Sequence, residues 1–245
     1  GKFIFRGNTA ATGSEVYITD GTGIGTVLVR DIYNGPISSN PGDFVTMNGI
    51  VYFSAVTAAE GRELWKTNGT FAGTSLVKDI VAGPDSSNNV NNYHLYTHGN
   101  YLLFAAKSAA AGLELWKSDG TGVGTNLLID INTGNAGADS SSPANFFTFN
   151  SMVLFTAKAA ATGIEIWKTD GTAVGTVLMK DINPGPLGST EIEIFPGFSL
   201  PLFLGFHIFN NKVYFQAFDG TDIGELWVTD GIPANTILLK TIISG

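Results

Sequence analysis

The chain has 245 residues, 44% of them hydrophobic and only 14% charged, with 31 glycines, no cysteine and a net charge of -8. That much apolar material excludes a disordered chain, the acidic balance speaks against a nucleic-acid partner, and the absence of thiols excludes disulfides, thiolate metal centres and a cysteine nucleophile. No apolar run reaches the ~20 residues of a membrane helix: the nearest, Ser199–Phe209, is broken by Pro201, Gly205 and His207, so membrane insertion is not expected.

The elements follow in chain order. Gly1 leads directly into a strand, Phe3–Arg6, so a processed chain or a segment of a longer one is expected. Glu15–Thr22 is a second strand running into Asp20-Gly21-Thr22, Val27–Ile32 a third, and Phe44–Met47 a fourth, followed by the turn Asn48-Gly49. Asn-Gly is a tight-turn signal because both residues tolerate positive φ. The same order returns four times. First strands are expected at Val51–Ala55, Leu102–Ala106, Val153–Ala157 and Val213–Ala217, each with a phenylalanine in third place (Phe53, Phe104, Phe155, Phe215). Second strands open on Glu63, Glu114, Glu165 and Glu225, so the five glutamates are spaced by 48, 51, 51 and 60 residues. Third strands end in the echoes Leu76–Ile80, Leu127–Ile131, Val177–Ile182 and Ile237–Ile242, and further fourth strands lie at Tyr93–Thr97, Phe146–Phe149 and Phe206–Phe209.

A unit of ~50 residues repeated five times, with no helical periodicity, predicts a propeller rather than a helical array. The expected fold is all-β: one five-bladed β-propeller over 1–245, with four-stranded antiparallel blades at about 1–48, 49–99, 100–150, 151–210 and 211–245. On this division the last blade lacks its outer strand, and an unpaired strand edge invites pairing with another chain.

The segment Glu114-Leu115-Trp116-Lys117-Ser118-Asp119-Gly120-Thr121, with its four counterparts, resembles the ELWxxDGT (hyalin-like) repeat of bacterial secreted and surface proteins. The resemblance covers essentially the whole chain. Tyr17 departs from it in the first unit, and Ile232 and Pro233 in the last. It implies an exported or cell-surface propeller module and brings no catalytic residues with it.

Candidate sites are weighed against their structural readings. Glu63, Glu114 and Glu165, with Glu15 and Glu225, could form a ring holding a cation or sugar hydroxyls; alternatively each accepts hydrogen bonds from the backbone of its own unit, as a buried carboxylate must. Recurrence in every unit favours the second reading. Positions that vary are better placed for specificity. After the first strand the column reads Asn8, Val56, Lys107, Lys158 and Phe218, and Lys107 and Lys158 could clamp a carboxylate, phosphate or sulfate. The insertion Ile192–Phe209, carrying Phe195, Phe198, Leu202 and Leu204, is a candidate interface for a protein partner or for self-association. The aspartates of the Asp-Gly-Thr loops read as turn formers, since the spacing of a calcium loop is absent. No metal or other cofactor is expected from His94, His98 and His207. The expected function is non-enzymatic binding of a ligand or surface, plausibly glycan. An assembly module of an extracellular layer or fibre is the alternative, and a glycoside hydrolase a weaker one, because the unrepeated acids form no pair.

Overall fold

The computed structural model describes residues 1–245 except 89–93, 135–138, 196–197, 202–204, 222–223 and 242–245, and for 191–201 it describes backbone only. The described residues form strands and turns with one short 3-10 turn, Pro233–Asn235. Among the described residues no helix is long and apolar enough to cross a membrane.

The chain divides into two compact units, 1–127 and 128–245. The first holds β1 (Phe3–Thr9), β2 (Gly13–Thr19) and β3 (Val27–Arg30), then β4 (Gly42–Met47), β5 (Ile50–Thr57), β6 (Gly61–Thr67) and β7 (Ser75–Lys78), then β8 (Tyr96–His98), β9 (Tyr101–Ala106) and β10 (Glu114–Ser118). The division falls inside β11 (Asn126–Ile129). The second unit holds β12 (Ala144–Phe149), β13 (Met152–Ala159), β14 (Gly163–Thr169) and β15 (Val177–Lys180), a hairpin of β16 (Glu191–Phe195) and β17 (Phe198–Pro201), and β18 (His207–Phe209), β19 (Lys212–Ala217), β20 (Glu225–Thr229) and β21 (Ile237–Lys240).

Strands pair in sequence order: β1-β2-β3, β4-β5-β6-β7, β8-β9-β10-β11, β12-β13-β14-β15 and β18-β19-β20-β21. All-β repetition is therefore as expected, but the boundaries within the repeat move by one strand. Met47 pairs with Ile50 across Asn48-Gly49, and Phe149 with Met152 across Asn150-Ser151. A two-residue turn pairs the strands that it joins, so the strand assigned to the end of each unit opens the next sheet. The final sheet accordingly has four strands, and the three-stranded sheet is the first. That corrects the expectation of a last blade short of its outer strand.

The repeated phenylalanine explains the core. In β5, β9, β13 and β19 it is 2% exposed or less, and the alternation of strand faces aims it away from solvent. In the first unit, Trp65 of the second sheet packs with Val16, Ile18, Val29 and Ile32 of the first. Trp116 likewise joins Tyr52, Leu64 and Val77 of the sheet before it. In the second unit Trp227 and Phe215 pack on Leu154, Ile166 and Met179. Trp65, Trp116 and Trp227 thus each mortar their own sheet to the preceding one.

Polar contacts run between the same sheets. Lys66 Nζ donates to the Gly120 carbonyl (3.0 Å) and Lys78 Nζ to that of Thr125 (2.6 Å). In the second unit, Lys168 reaches Gly231 (2.9 Å) and Lys180 reaches Thr236 (3.1 Å). The recurring lysines of one sheet therefore hold the turn that joins the third and fourth strands of the next.

Candidate functional site

The glutamate that opens the Glu-x-Trp strand is buried in every repeat, at 1% exposure or less. Glu15 lies on β2, and its two oxygens accept the N–H groups of Ile32 (2.9 Å), Tyr33 (3.4 Å) and Ser39 (2.8 Å) and the Ser39 hydroxyl (2.6 Å). Glu63 accepts from the N–H groups of Ile80 (3.2 Å), Val81 (3.4 Å) and Ser87 (3.1 Å). Glu165 accepts from Asn183 N–H (3.2 Å) and the Ser189 hydroxyl. Each carboxylate thus folds the loop leaving its sheet back over the strand end. Burial pushes these acids upward, Glu63 to about 7 and Glu165 to about 8, against the lowering pull of their hydrogen bonds; Asp181 adds a smaller upward push on Glu165. Glu15 is also raised, by burial.

The serine caught by the glutamate makes a second contact. The carbonyl of Ser39 accepts Val56 N–H (2.9 Å), that of Ser87 accepts Lys107 N–H (2.7 Å), and that of Ser189 accepts Phe218 N–H (2.8 Å). The result is a clasp from glutamate, through serine, to the next sheet. These serines were not singled out from the sequence. Their signal is a fixed distance: Ser39, Ser87 and Ser189 each stand 24 residues after their glutamate.

The same contacts place the variable column. Val56, Lys107, Lys158 and Phe218 receive the preceding loop through their backbone N–H, Lys158 from the carbonyl of Ser141 at 2.8 Å. The docking uses no side chain, which leaves the side chain free to vary. Lys107 and Lys158 are both exposed. Lys107 lies in the first unit and Lys158 in the second. Of the other candidates, Glu114 is buried at 0% on β10. Phe195 and Phe198 are paired in the backbone register of the β16–β17 hairpin, whereas Leu202 and Leu204 lie outside the described residues.

The Asp-Gly-Thr loops are closed by their own hydrogen bonds. Asp119 Oδ1 accepts both the N–H (2.8 Å) and the hydroxyl (2.7 Å) of Thr121, and Thr121 Oγ1 accepts Gly124 N–H (2.9 Å). Gly124 has no alternative, since a Cβ there would lie 2.1 Å from the Asp119 carboxyl. The hydrogen bonds of Thr121 hold Asp119 below the usual carboxylate range. Asn68 makes the equivalent bonds to Thr70 at 3.0 and 2.7 Å with an uncharged amide, so the turn needs an acceptor oxygen and no charge. Asp119→Asn is accordingly expected to melt within about 1 °C of the parent, and Asp119→Ala roughly 2–4 °C lower, as loss of about one net hydrogen bond implies; differential scanning calorimetry checks both.

Two further features complete the inventory. Trp65, Trp116 and Trp227 are each 6% exposed, so they present little ring face for stacking on a sugar. A cavity of about 240 Å³ opens beside the last sheet, lined by His207, Tyr214, Gln216, Leu226 and the glycines Gly205 and Gly224. At the two glycine positions the second sheet carries Asp43 and the buried Arg62. Among the described residues, no group of three or more acidic, histidine or cysteine side chains could hold a metal ion.

Sheets built from consecutive antiparallel strands, stacked through a repeated aromatic and repeated polar clasps, define an all-β, β-propeller-like fold. The sequence matches no family model, and no curated protein matches it. Among solved structures, a puromycin hydrolase is similar with a TM-score of 0.50 at 14% identity, over 97% of this chain and 38% of that one. The computationally designed Ika8 protein aligns with a TM-score of 0.43 at 14% identity, over 94% of this chain and 56% of the designed one. The chain therefore spans about a third to a half of the length of the proteins it resembles in structure. At these identities the likeness to the hydrolase is one of fold alone.

Proposed function

We propose that the chain is an exported, five-bladed propeller module that binds a ligand or surface without catalysing a reaction, with a glycan as the favoured ligand class. One observation carries this reading: repeated glutamates and the Asp-Gly-Thr loops are engaged with the protein's own groups. Glu15, Glu63 and Glu165 hold loops, and the Asp-Gly-Thr loops are closed on themselves. Recognition then falls to exposed positions that differ between repeats, among them Lys107 and Lys158, whose ammonium groups suit a carboxylated or sulfated sugar. The resemblance of the Glu-Leu-Trp-Lys segments to the ELWxxDGT repeat supports the surface location.

A glycan array probed with the purified chain, at low and at physiological salt, tests the proposal. Binding to acidic glycans is expected, weakened tenfold or more by Lys107→Ala with Lys158→Ala and weakened by salt. No glycan binding at either salt, or binding indifferent to both substitutions, overturns this assignment.

A further inference from the structure

The five turns that leave the Glu-x-Trp strands share one plan, and one of them breaks it in three places at once. Where the other turns hold Asp20, Asp119, Asp170 and Asp230, the second holds Asn68. Where they hold Gly23, Gly122, Ala173 and Pro233, it holds Phe71. The third exception reaches this turn from the preceding sheet. Arg30, at the end of β3, stands where β7, β15 and β21 carry Lys78, Lys180 and Lys240 and β11 carries Ile129. Residues that the fold requires recur, so three exceptions meeting at one turn point to a use that the other turns do not share.

The three side chains are held in place. The Arg30 guanidinium lies over the Phe71 ring, 5.0 Å from its centre, and over the Trp65 ring at 6.0 Å. Its Nη1 donates to the Thr74 carbonyl in the same turn. These contacts fix the phenylalanine from one side, yet Phe71 is 66% exposed, so the other face of the ring is open to solvent. Asn68 is exposed too. Its Oδ1 accepts the N–H and hydroxyl of Thr70. Its Nδ2 and the other guanidinium N–H groups of Arg30 have no acceptor among the described residues. The Thr67 and Thr74 hydroxyls close the turn at 2.7 Å, so ring, amide and cation sit on a fixed frame and lose little freedom when a ligand arrives.

We infer that this turn is a subsite for a uronic acid residue of a glycan. The C–H face of the pyranose packs on the open face of Phe71, and its carboxylate meets the unengaged edge of Arg30 and the Nδ2 amide of Asn68. The asparagine selects an acidic sugar over a neutral one. The turn takes its acceptor oxygen equally from an amide or a carboxylate, as the matching bonds of Asn68 and Asp119 show, so the fold does not require the exchange. A carboxylate at position 68 would serve a neutral sugar well, as an acceptor for its hydroxyls, but would repel an acidic one. The negative charge is removed only here, beside the cation and the exposed ring. Arginine suits the task better than the lysine of the other sheets, because its planar fork can hold a carboxylate while one N–H stays on Thr74.

This deepens the acidic-glycan reading and rests on it, through residues separate from Lys107 and Lys158. The test is isothermal titration of the intact chain with tetramers of galacturonate, glucuronate and mannuronate at low salt. Saturable binding of at least one tetramer is expected, weakened tenfold or more when its carboxylates are methyl-esterified. Each protein variant installs a residue that another repeat carries at the same place, so the turn is kept. Asn68→Asp and Phe71→Ala should each weaken binding at least tenfold, and Arg30→Lys, which keeps the charge and loses the fork, about fivefold. No saturable binding of any tetramer overturns the inference, as does equal binding of the esterified tetramer or by the Asn68→Asp or Phe71→Ala variant. The two assignments fail separately. Binding lost in the Lys107→Ala, Lys158→Ala variant but unchanged in Asn68→Asp and Phe71→Ala would remove this subsite and leave the acidic-glycan reading standing; the opposite pattern would establish the subsite and remove the lysines.

Discussion

Glu63→Ala is expected to lower the unfolding free energy by about 3–5 kcal/mol, measured from urea midpoints at constant m. The substitution removes a buried side chain and leaves the N–H groups of Ile80, Val81 and Ser87 without the acceptor they now share. An unsatisfied buried donor costs about 1–3 kcal/mol. Relief from burying a charge offsets part of this, which keeps the total below a simple sum. Glu63→Gln should fall between the two, because the amide retains one acceptor oxygen but presents its NH₂ to donors. A change smaller than 1 kcal/mol in the alanine variant would show that the loop is held by other contacts.

Stability should also fall as pH rises across neutrality. The ordinary glutamate value is 4.5, and in the folded chain Glu63 stands at about 7 and Glu165 at about 8. Both are raised, so the folded state binds these protons more tightly than the unfolded state. Their contribution is complete below pH 4.5 and disappears as pH climbs through 7 and then 8. Linkage gives roughly 3 kcal/mol for Glu63 and roughly 5 kcal/mol for Glu165. Asp20, Asp119 and Asp230 are lowered by their turn hydrogen bonds, so their smaller contributions are lost only in acid. Urea midpoints at half-unit steps from pH 5 to 9 should therefore decline steadily, and the Glu63→Gln, Glu165→Gln double variant should flatten the decline. A flat profile in the parent chain would show that the two acids are ionised throughout.

The strands were legible because two independent patterns agreed. Alternating apolar residues placed Phe53, Phe104, Phe155 and Phe215 inward, and glycine and asparagine marked the turns. The error of one strand came from reading Asn48-Gly49 as a boundary between units. Tight-turn chemistry identifies a hairpin, and a hairpin belongs to one sheet. The glutamate column was legible as structural, since a residue required five times answers a need of the fold. Its serine partner was missed because serine in a Gly-Pro-rich loop is an ordinary turn former; only the 24-residue interval sets Ser39, Ser87 and Ser189 apart. The variable column carried another ambiguity. Lys107 and Lys158 vary from their counterparts partly because the backbone alone makes the contact there, so variation marks freedom as well as specificity.

The clasps all point the same way along the polypeptide. Glu15 can close on Ser39 only after the loop beyond β3 exists, and Ser39 finds its second contact only when Val56 is in place. Each sheet is finished by residues synthesised after it. During translation the acid of the newest sheet closes on its own outgoing loop, and the serine carbonyl of that loop finds its donor only when the successor sheet arrives. Such a chain should behave as a nearest-neighbour cooperative system, gaining stability in steps as repeats are added. A cut within a repeat would then do most harm to the sheet on its N-terminal side, whose closing contacts it removes.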